Sequence, residues 1–377
     1  MIDFESLGQP SRISILRNRK VVDLFLSQLV PLLSSMLMTF ATATILGVSG
    51  RGELALVLSA SGLVGALGYM SLQVGIVRAY RMGDMSAPRR GFAIASMSSA
   101  SILACGVITI IFAPDLRVGL FDAPKIFMIA CGGGLLIFNL VILRTRQGLG
   151  GSRVFRNASI IQATIFPAFG VPVAIALHSP TMIVLCWYLA IASSTIYALR
   201  NPADRAIETP LPEHVPTSEI LKSSIAAHIG VSGQQLMFRA DIVVLGFMAS
   251  ATSVGIYSVA VPIAGVTWVF SEALSLMSFD AGARRESFAQ RRAHRLDLIH
   301  LNLLVSFVVA VAIGLSSIFF IPLILPEYTR AIPLILILLP GIVIQGCARI
   351  GLSSRVSAKS LWERCDQRFC GVTRRAG

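Results

Sequence analysis

Acidic residues are scarce in this chain: 19 Asp and Glu stand against 32 Lys and Arg in 377 residues, and charge of either sign makes up only 14%. A soluble domain carries about 25% charged residues, so a soluble enzyme, a coiled coil and a disordered tail are all excluded. Histidine is also rare. His178, His214, His228, His294 and His300 are scattered without ligand spacing, which leaves no metal centre and no His-acid pair to read. The six cysteines form no framework either: Cys105, Cys131, Cys186 and Cys347 lie in apolar runs, where Cys acts as a small hydrophobe, and Cys365 and Cys370 lack zinc-site partners. Long polar loops are missing as well, so any function has to be carried by side chains inside a helix bundle.

What is present is apolar residue, 55% of the chain, gathered in blocks of about 20 residues, the length of a membrane-crossing helix. Ten blocks fall near 24–47, 54–77, 91–113, 125–143, 158–178, 181–199, 224–248, 254–277, 298–322 and 331–352. The first is too long for a signal-peptide core and lacks a cleavage site, so it is expected to stay as a helix. Of the 32 basic residues, 27 lie in alternate connections that begin with the N-terminus, and four (Arg51, Arg117, Lys125 and Arg330) lie opposite. Arg239 is left inside a span. This asymmetry predicts a multi-pass protein with both termini in the cytoplasm. The net charge of +13 is then a matter of topology, with anionic membrane lipids as partners and nucleic acid excluded. No cofactor is implied.

The expected organisation is a basic leader at 1–23, six helices in 24–199, a Pro-rich cytoplasmic linker at 200–223, four helices in 224–352 and a basic tail at 353–377. An internal repeat is visible across the linker. Thr44-Ile45-Leu46-Gly47, a turn and Gly52-Glu53-Leu54-Ala55 can be laid on Val243-Val244-Leu245-Gly246, a longer turn and Gly255-Ile256-Tyr257-Ser258. Both copies start inside, so the repeat is parallel and its axis runs along the membrane normal.

The stretch Leu46-Gly47-Val48-Ser49-Gly50-Arg51-Gly52-Glu53-Leu54-Ala55 resembles a turn of Wzx-like polysaccharide flippases. So does Phe238-Arg239-Ala240-Asp241-Ile242-Val243-Val244-Leu245-Gly246 with Gly255-Ile256-Tyr257-Ser258-Val259-Ala260. These proteins belong to the multidrug/oligosaccharidyl-lipid/polysaccharide exporter (MOP) superfamily. The resemblance covers roughly residues 15–350. It implies an all-α polytopic membrane protein of the bacterial plasma membrane, a two-lobed exporter that works by alternating access. Its cargo would be a polyprenyl-pyrophosphate-linked oligosaccharide moved for lipopolysaccharide or other polysaccharide synthesis, with the polysaccharide polymerase machinery as a partner. No covalent chemistry is implied. Such proteins have six helices per lobe, whereas only four follow the linker here. The stretch Ser353-Ser354-Arg355 onward, with Trp362, Cys365 and Arg368, reads as an out-of-frame continuation and hence a truncated second lobe, with a genuine short tail as the alternative.

The charged pair Arg239 and Asp241 heads the candidate substrate residues. An Arg near the bilayer centre costs about 2.5–3.5 kcal/mol on insertion scales, so it faces a wet cavity or a partner. Positions i and i+2 point to different helix faces and do not pair. One reading places Arg239 on the pyrophosphate through charge-assisted hydrogen bonds; the other has it snorkel outward while Asp241 secures the outer turn. Gln234, Glu272, Gln28 and Gln73 complete the candidate list. With Asn139, Gln162, His228 and Gln235, they fit either a sugar path or interhelical hydrogen bonding. Gly62, Gly65 and Gly68 predict close helix approach, and Pro31, Pro167, Pro172, Pro262 and Gly132-Gly133-Gly134 predict kinks or flexible points. A cation-coupled multidrug exporter of the same superfamily is the runner-up reading. A membrane enzyme of envelope synthesis and an inactive truncated flippase stand behind it.

Overall fold

A computed structural model describes residues 19–201, 214–282 and 288–348. The side chains of 19–28, 238, 269–270, 272–282 and 288–295 are outside that description. Helix dominates: α1 (Arg19–Gly68), α2 (Leu72–Arg81), α3 (Ala87–Phe112), α4 (Ala123–Gly148), α5 (Ser152–Leu177), α6 (Pro180–Arg200), α7 (Thr217–Met248), α8 (Ala251–Gly282) and α9 (Phe288–Ile324). A short turn of 3₁₀ helix, Pro326–Tyr328, leads into α10 (Ala331–Ala348). Two-residue strands β1 (Arg117–Val118) and β2 (Phe121–Asp122) pair antiparallel between α3 and α4. Among the described residues, eight stretches are long and apolar enough to cross a membrane. The first, Leu29–Arg81, takes in two of the expected spans, and α7, at 32 residues, lies outside the eight.

Packing divides the chain into two compact units, Met1–Ser258 and Val259–Gly377, with the boundary inside α8. In the first unit, α1 cannot be straight. Its 50 residues would measure about 75 Å, far more than a bilayer core. The bend is at Gly47, whose φ of 67° and ψ of −177° suit glycine and few other residues. Arg51 proves the fold-back: its guanidinium donates to Thr42 Oγ1 at 3.1 Å and Thr39 Oγ1 at 3.2 Å. Twelve residues of straight helix would separate Arg51 from Thr39 by about 18 Å, a span no arginine side chain covers. The sequence places Arg51 on an outer connection; the structure buries it against the first arm of α1.

The expected span at 54–77 is not one helix. It breaks after Gly68, where Met70 and Ser71 both take left-handed backbone with φ of 47°, and resumes as α2. An apolar run gives no sign of this break, because Gly-Tyr-Met-Ser-Leu is also ordinary helical composition. The two predicted close-approach glycines Gly65 and Gly68 meet α4: a side chain on Gly65 would overlap Leu136, and one on Gly68 would overlap Ile137. Gly132 and Gly133 accept Ser61 and Val64 in return. Further along α4, Asn139 donates to Thr195 Oγ1 at 2.8 Å and Ser194 Oγ at 3.2 Å on α6, so it bonds helix to helix. The linker is also shorter than expected. Pro216 precedes Thr217-Ser218-Glu219, a favourable first turn with an acid against the helix dipole, and α7 starts at Thr217 rather than 224.

In the second unit, Ser271 Oγ lies 3.3 Å from Ser306 Oγ, which reaches Asn302 Oδ1 at 3.3 Å. Asn302 also approaches Cys347 Sγ at 3.5 Å, joining α8, α9 and α10. Tyr328, Ile335 and Ile321 are buried around the turn between α9 and α10. A groove of about 450 Å³ runs between these two helices, lined by Phe307, Val311, Ile318, Leu336 and Val343.

Candidate functional site

The candidate site is arranged along α7, which rests on α1 and α2 over its whole length. His228, Ser232, Gln235 and Arg239 are spaced 4, 3 and 4 residues apart and therefore share one helix face. At the lower end of this stripe, Ser71 Oγ lies 3.2 Å from His228 Nδ1 and 3.3 Å from Tyr69 Oη. The rings of Tyr69 and His228 meet edge to face at 5.7 Å. The break after α1 thus supplies a buried polar contact that a continuous helix would have turned elsewhere. The Ser232 Oγ is buried without a hydrogen-bond partner among the described residues.

At the upper end of the stripe, the guanidinium of Arg239 lies against Gly62. A Cβ added to Gly62 would overlap Arg239 Nη1 and stand 2.7 Å from Cζ. Gly62 is therefore the seat of an arginine, whereas its neighbours Gly65 and Gly68 are seats of a helix. Among the described residues Arg239 makes no hydrogen bond or ion pair, and the described ion pairs are Asp84–Arg90 and Asp122–Lys125. Arg239 lies 9 residues before Met248, about 14 Å from that end of α7.

Asp241 does something different. Its Oδ2 accepts from Tyr257 Oη at 2.6 Å and its Oδ1 from the Ile242 N–H at 2.7 Å. The carboxylate is thereby committed to joining α7 to the start of α8. Gln234 is half-buried on another face of α7. Gln73 sits on α2 with its Oε1 buried and without a hydrogen-bond partner among the described residues. The described contacts bring neither of them to Arg239. Gln28 and Glu272 lie among residues whose side chains are not described, and no group of His, Cys, Asp or Glu fit to hold a metal occurs among the described residues.

Two clusters escape a reading of the sequence alone. Asp84, in the turn between α2 and α3, is buried and pairs with Arg90. It accepts from Ser86 N–H, Ser86 Oγ and the Val215 N–H at 3.0, 2.6 and 2.9 Å. Arg90 donates in turn to the Val215 carbonyl at 2.8 Å and Thr217 Oγ1 at 3.1 Å. Burial alone would raise the Asp84 pKa, but the bonds from Ser86 and Val215 and the Arg90 charge outweigh it and hold the carboxyl below its ordinary range. The signal available in the sequence is Gly83-Asp84 followed by Ser86 and Pro88, a turn and helix-start pattern; Arg90 by itself reads as one more basic residue on the inner side.

The second cluster is at the outer turn. A side chain on Gly52 would overlap the Ala251 carbonyl and lie 2.9 Å from Gly255 N; one on Gly255 would overlap the Val48 carbonyl and lie 3.2 Å from Gly52 N. Gly52 and Gly255 are the matched residues of the repeat. They meet reciprocally, as two-fold-related surfaces must.

A bent helical hairpin, a broken second span and a mid-helix arginine belong to a polytopic helical bundle. No protein-family model matches this sequence, and comparison with curated proteins finds no match. Solved structures do share the fold. The MATE multidrug transporter DinF-BH, solved as a complex, superposes with a TM-score of 0.61 at 16% identity over 95% of this chain and 84% of that one. An inward-facing multidrug resistance MATE family transporter of the MOP superfamily gives 0.54 at 14% identity over 90% and 87%. A MATE protein in a bent conformation gives 0.52 at 14% identity over 90% and 81%. The chain shares the fold of these MATE proteins.

Proposed function

We propose that this protein is an alternating-access exporter of the bacterial plasma membrane whose cargo has an anionic head, a polyprenyl-pyrophosphate-linked oligosaccharide used in cell-surface polysaccharide synthesis. The observation that carries the reading is Arg239. On the sequence reading that puts Arg239 at membrane depth, its guanidinium must be neutralised or hydrated; the nearest acid along the helix, Asp241, accepts hydrogen bonds from Tyr257 and the Ile242 N–H and forms no ion pair with Arg239 among the described residues. Arg239 is solvent-accessible, with its guanidinium lying against Gly62. An arginine offers a planar fork of donors, which suits a pyrophosphate better than a point charge does. The resemblance of the Arg239–Gly246 stretch to polysaccharide flippases supports the same cargo.

The proteins of similar fold favour a second reading, a multidrug exporter, since two of them are multidrug transporters by description. A cationic cargo calls for a free intramembrane carboxylate; Asp241 is already bonded, and Glu272 lies among residues whose side chains are not described. The two readings separate in cells. Deleting the gene and restoring it on a plasmid should remove and return surface polymer, with Arg239→Ala failing to restore it at normal protein abundance. Unchanged polymer together with new sensitivity to cationic drugs would select the multidrug reading.

A further inference from the structure

We propose that Tyr69, Ser71 and His228 form a proton-binding site at the break between α1 and α2, one that keeps its hydrogen bonds in both charge states. The break falls inside the membrane-length stretch Leu29–Arg81, where irregular backbone has to be satisfied within the protein. Its freed carbonyls are met from two other helices. Ser98 Oγ on α3 donates to the Gly68 carbonyl at 3.0 Å, and Ser224 Oγ on α7 donates to the Leu72 carbonyl at 3.5 Å. These bonds secure the backbone without the Ser71 side chain. Yet Met70 and Ser71 take left-handed backbone with φ of 47°, which residues with a Cβ rarely adopt, and this delivers a fully buried hydroxyl to a histidine. Such outliers gather where a structure serves a function. An ionisable side chain within a transmembrane bundle marks a functional site by default, and His228 lies in the expected span 224–248.

The contacts form a chain. Tyr69 Oη lies 3.3 Å from Ser71 Oγ, which lies 3.2 Å from His228 Nδ1, and the Tyr69 ring stands edge-on to the imidazole. A serine or tyrosine hydroxyl both donates and accepts, so the chain runs in either direction. With a neutral ring, Tyr69 donates to Ser71 and Ser71 donates to the Nδ1 lone pair. When that lone pair takes a proton, Nδ1–H donates to Ser71 Oγ and Ser71 turns its hydrogen to Tyr69 Oη. One proton is gained and no link is lost. Imidazole is the side chain that makes this change of charge between about pH 5 and 8. The ring is committed to no ion pair among the described residues. On α1, Arg51 is bonded to Thr39 and Thr42; on α2, Arg81 to the Gly148 carbonyl; on α3, Arg90 to Asp84; and on α7 itself, Asp241 to Tyr257. Glu53 on α1, Arg78 and Tyr80 on α2, Arg89 on α3, and Glu219, Lys222 and Arg239 on α7 make no described hydrogen bond or ion pair with it. Ser232 Oγ, one turn along the same face, and Gln73 Oε1, two residues past Ser71, are buried without a hydrogen-bond partner among the described residues. The two helices thus bring further hydrogen-bonding capacity to the stretch that holds a half-buried ring. The inference concerns the proton alone and stands independently of the cargo.

The test is nitrogen NMR of isotope-labelled histidine rings on the full chain in nanodiscs, from about pH 9 to about pH 5, with His228→Gln assigning the ring by difference. The neutral ring is expected to carry its hydrogen on Nε2 and leave Nδ1 bare, and on acidification to take one further proton at Nδ1. Ser71→Ala, which keeps a Cβ at the break and removes the partner of Nδ1, should cost the neutral ring at least about half of its excess of the Nε2–H form. Tyr69→Phe should act in the same direction with a smaller effect, and it serves if Ser71→Ala does not fold. Spin labels at Val74→Cys on α2 and Ile229→Cys on α7, both exposed and with native cysteines replaced, report whether α7 stays seated on the break. Double electron–electron resonance should give one narrow distance for 74–229, the same at both ends of the pH range, because the chain holds in either charge state. The proposal is overturned if the ring stays neutral down to about pH 5, or if its neutral form carries the hydrogen on Nδ1. It is equally overturned if wild type, Ser71→Ala and Tyr69→Phe share one tautomer mixture, or if the 74–229 distance changes with pH.

Discussion

The two ends of α7 are fastened by different physics. At the Thr217 end, a buried carboxylate and an arginine grip one stretch of backbone: Asp84 takes the Val215 N–H, while Arg90 reaches the Val215 carbonyl and Thr217 Oγ1. At the Met248 end, backbone meets backbone through glycines, with Gly52 on Ala251 and Gly255, and Gly119 beside Gly246 and Phe247. The first contact depends on charge and directional bonds; the second depends on the absence of side chains. The first holds α7 directly, while the second holds α7 through Gly246 and the start of α8 through Gly52 and Gly255, so each can be broken by a change that leaves the other intact.

The largest expected effect is at the charged end. Asp84→Ala removes every acceptor from a buried cluster and leaves Arg90 and the Val215 N–H without their acid, which costs about 3–5 kcal/mol. A fall in melting temperature in detergent, with trypsin cutting newly admitted at Lys222 near the start of α7, checks it. Next comes the glycine end. Gly52→Val forces a side chain onto the Ala251 backbone, which cannot swing aside, and should cost about 1–3 kcal/mol; the same thermal assay should show no change in its pH dependence. The pH response sharpens the contrast. The Asp84 carboxyl is held below its ordinary value, so its stabilisation is complete above about pH 4 and is lost as pH falls through the depressed value. Acid melting of the wild type should show this loss, and Asp84→Asn should abolish it; an unchanged acid limb in Asp84→Asn would contradict the clamp. The smallest effect on stability is expected from Gly62→Ala. Here the new methyl meets the far end of a flexible arginine, so stability should change by less than about 1 kcal/mol while the position of Arg239, and with it cargo binding, changes.

Much of the helical plan was legible, because apolar blocks of membrane length have few alternative folds. Gly47 was legible as a turn residue for the same reason that it interrupts: it admits positive φ; Pro262, expected as a kink or flexible point, lies inside the continuous α8. The break at Met70–Ser71 was not legible, since nothing in Tyr69-Met70-Ser71 forbids helix and the contacts of Ser71 with His228 and Tyr69 that accompany the break leave no mark in the local sequence. The candidate site was legible in part. Arg239 stood out by its cost, but its seat, Gly62, carried the same signal as the two packing glycines beside it. The Asp84–Arg90 clamp was not legible, because Arg90 resembles any other topological charge and its partner backbone lies 125 residues away. Spacing within a sequence cannot report a contact made across that distance.

The central claim is that Arg239 is the positive charge that meets an anionic lipid head. It is tested most directly by binding of geranylgeranyl pyrophosphate to the purified protein in nanodiscs, with the uncharged geranylgeraniol as comparator. The account expects the wild type to prefer the pyrophosphate, Arg239→Ala to lose at least about tenfold in affinity, equivalent to about 1.4 kcal/mol, and Arg239→Lys to fall between them. Equal affinity of wild type and Arg239→Ala, at equal melting temperature, would contradict it.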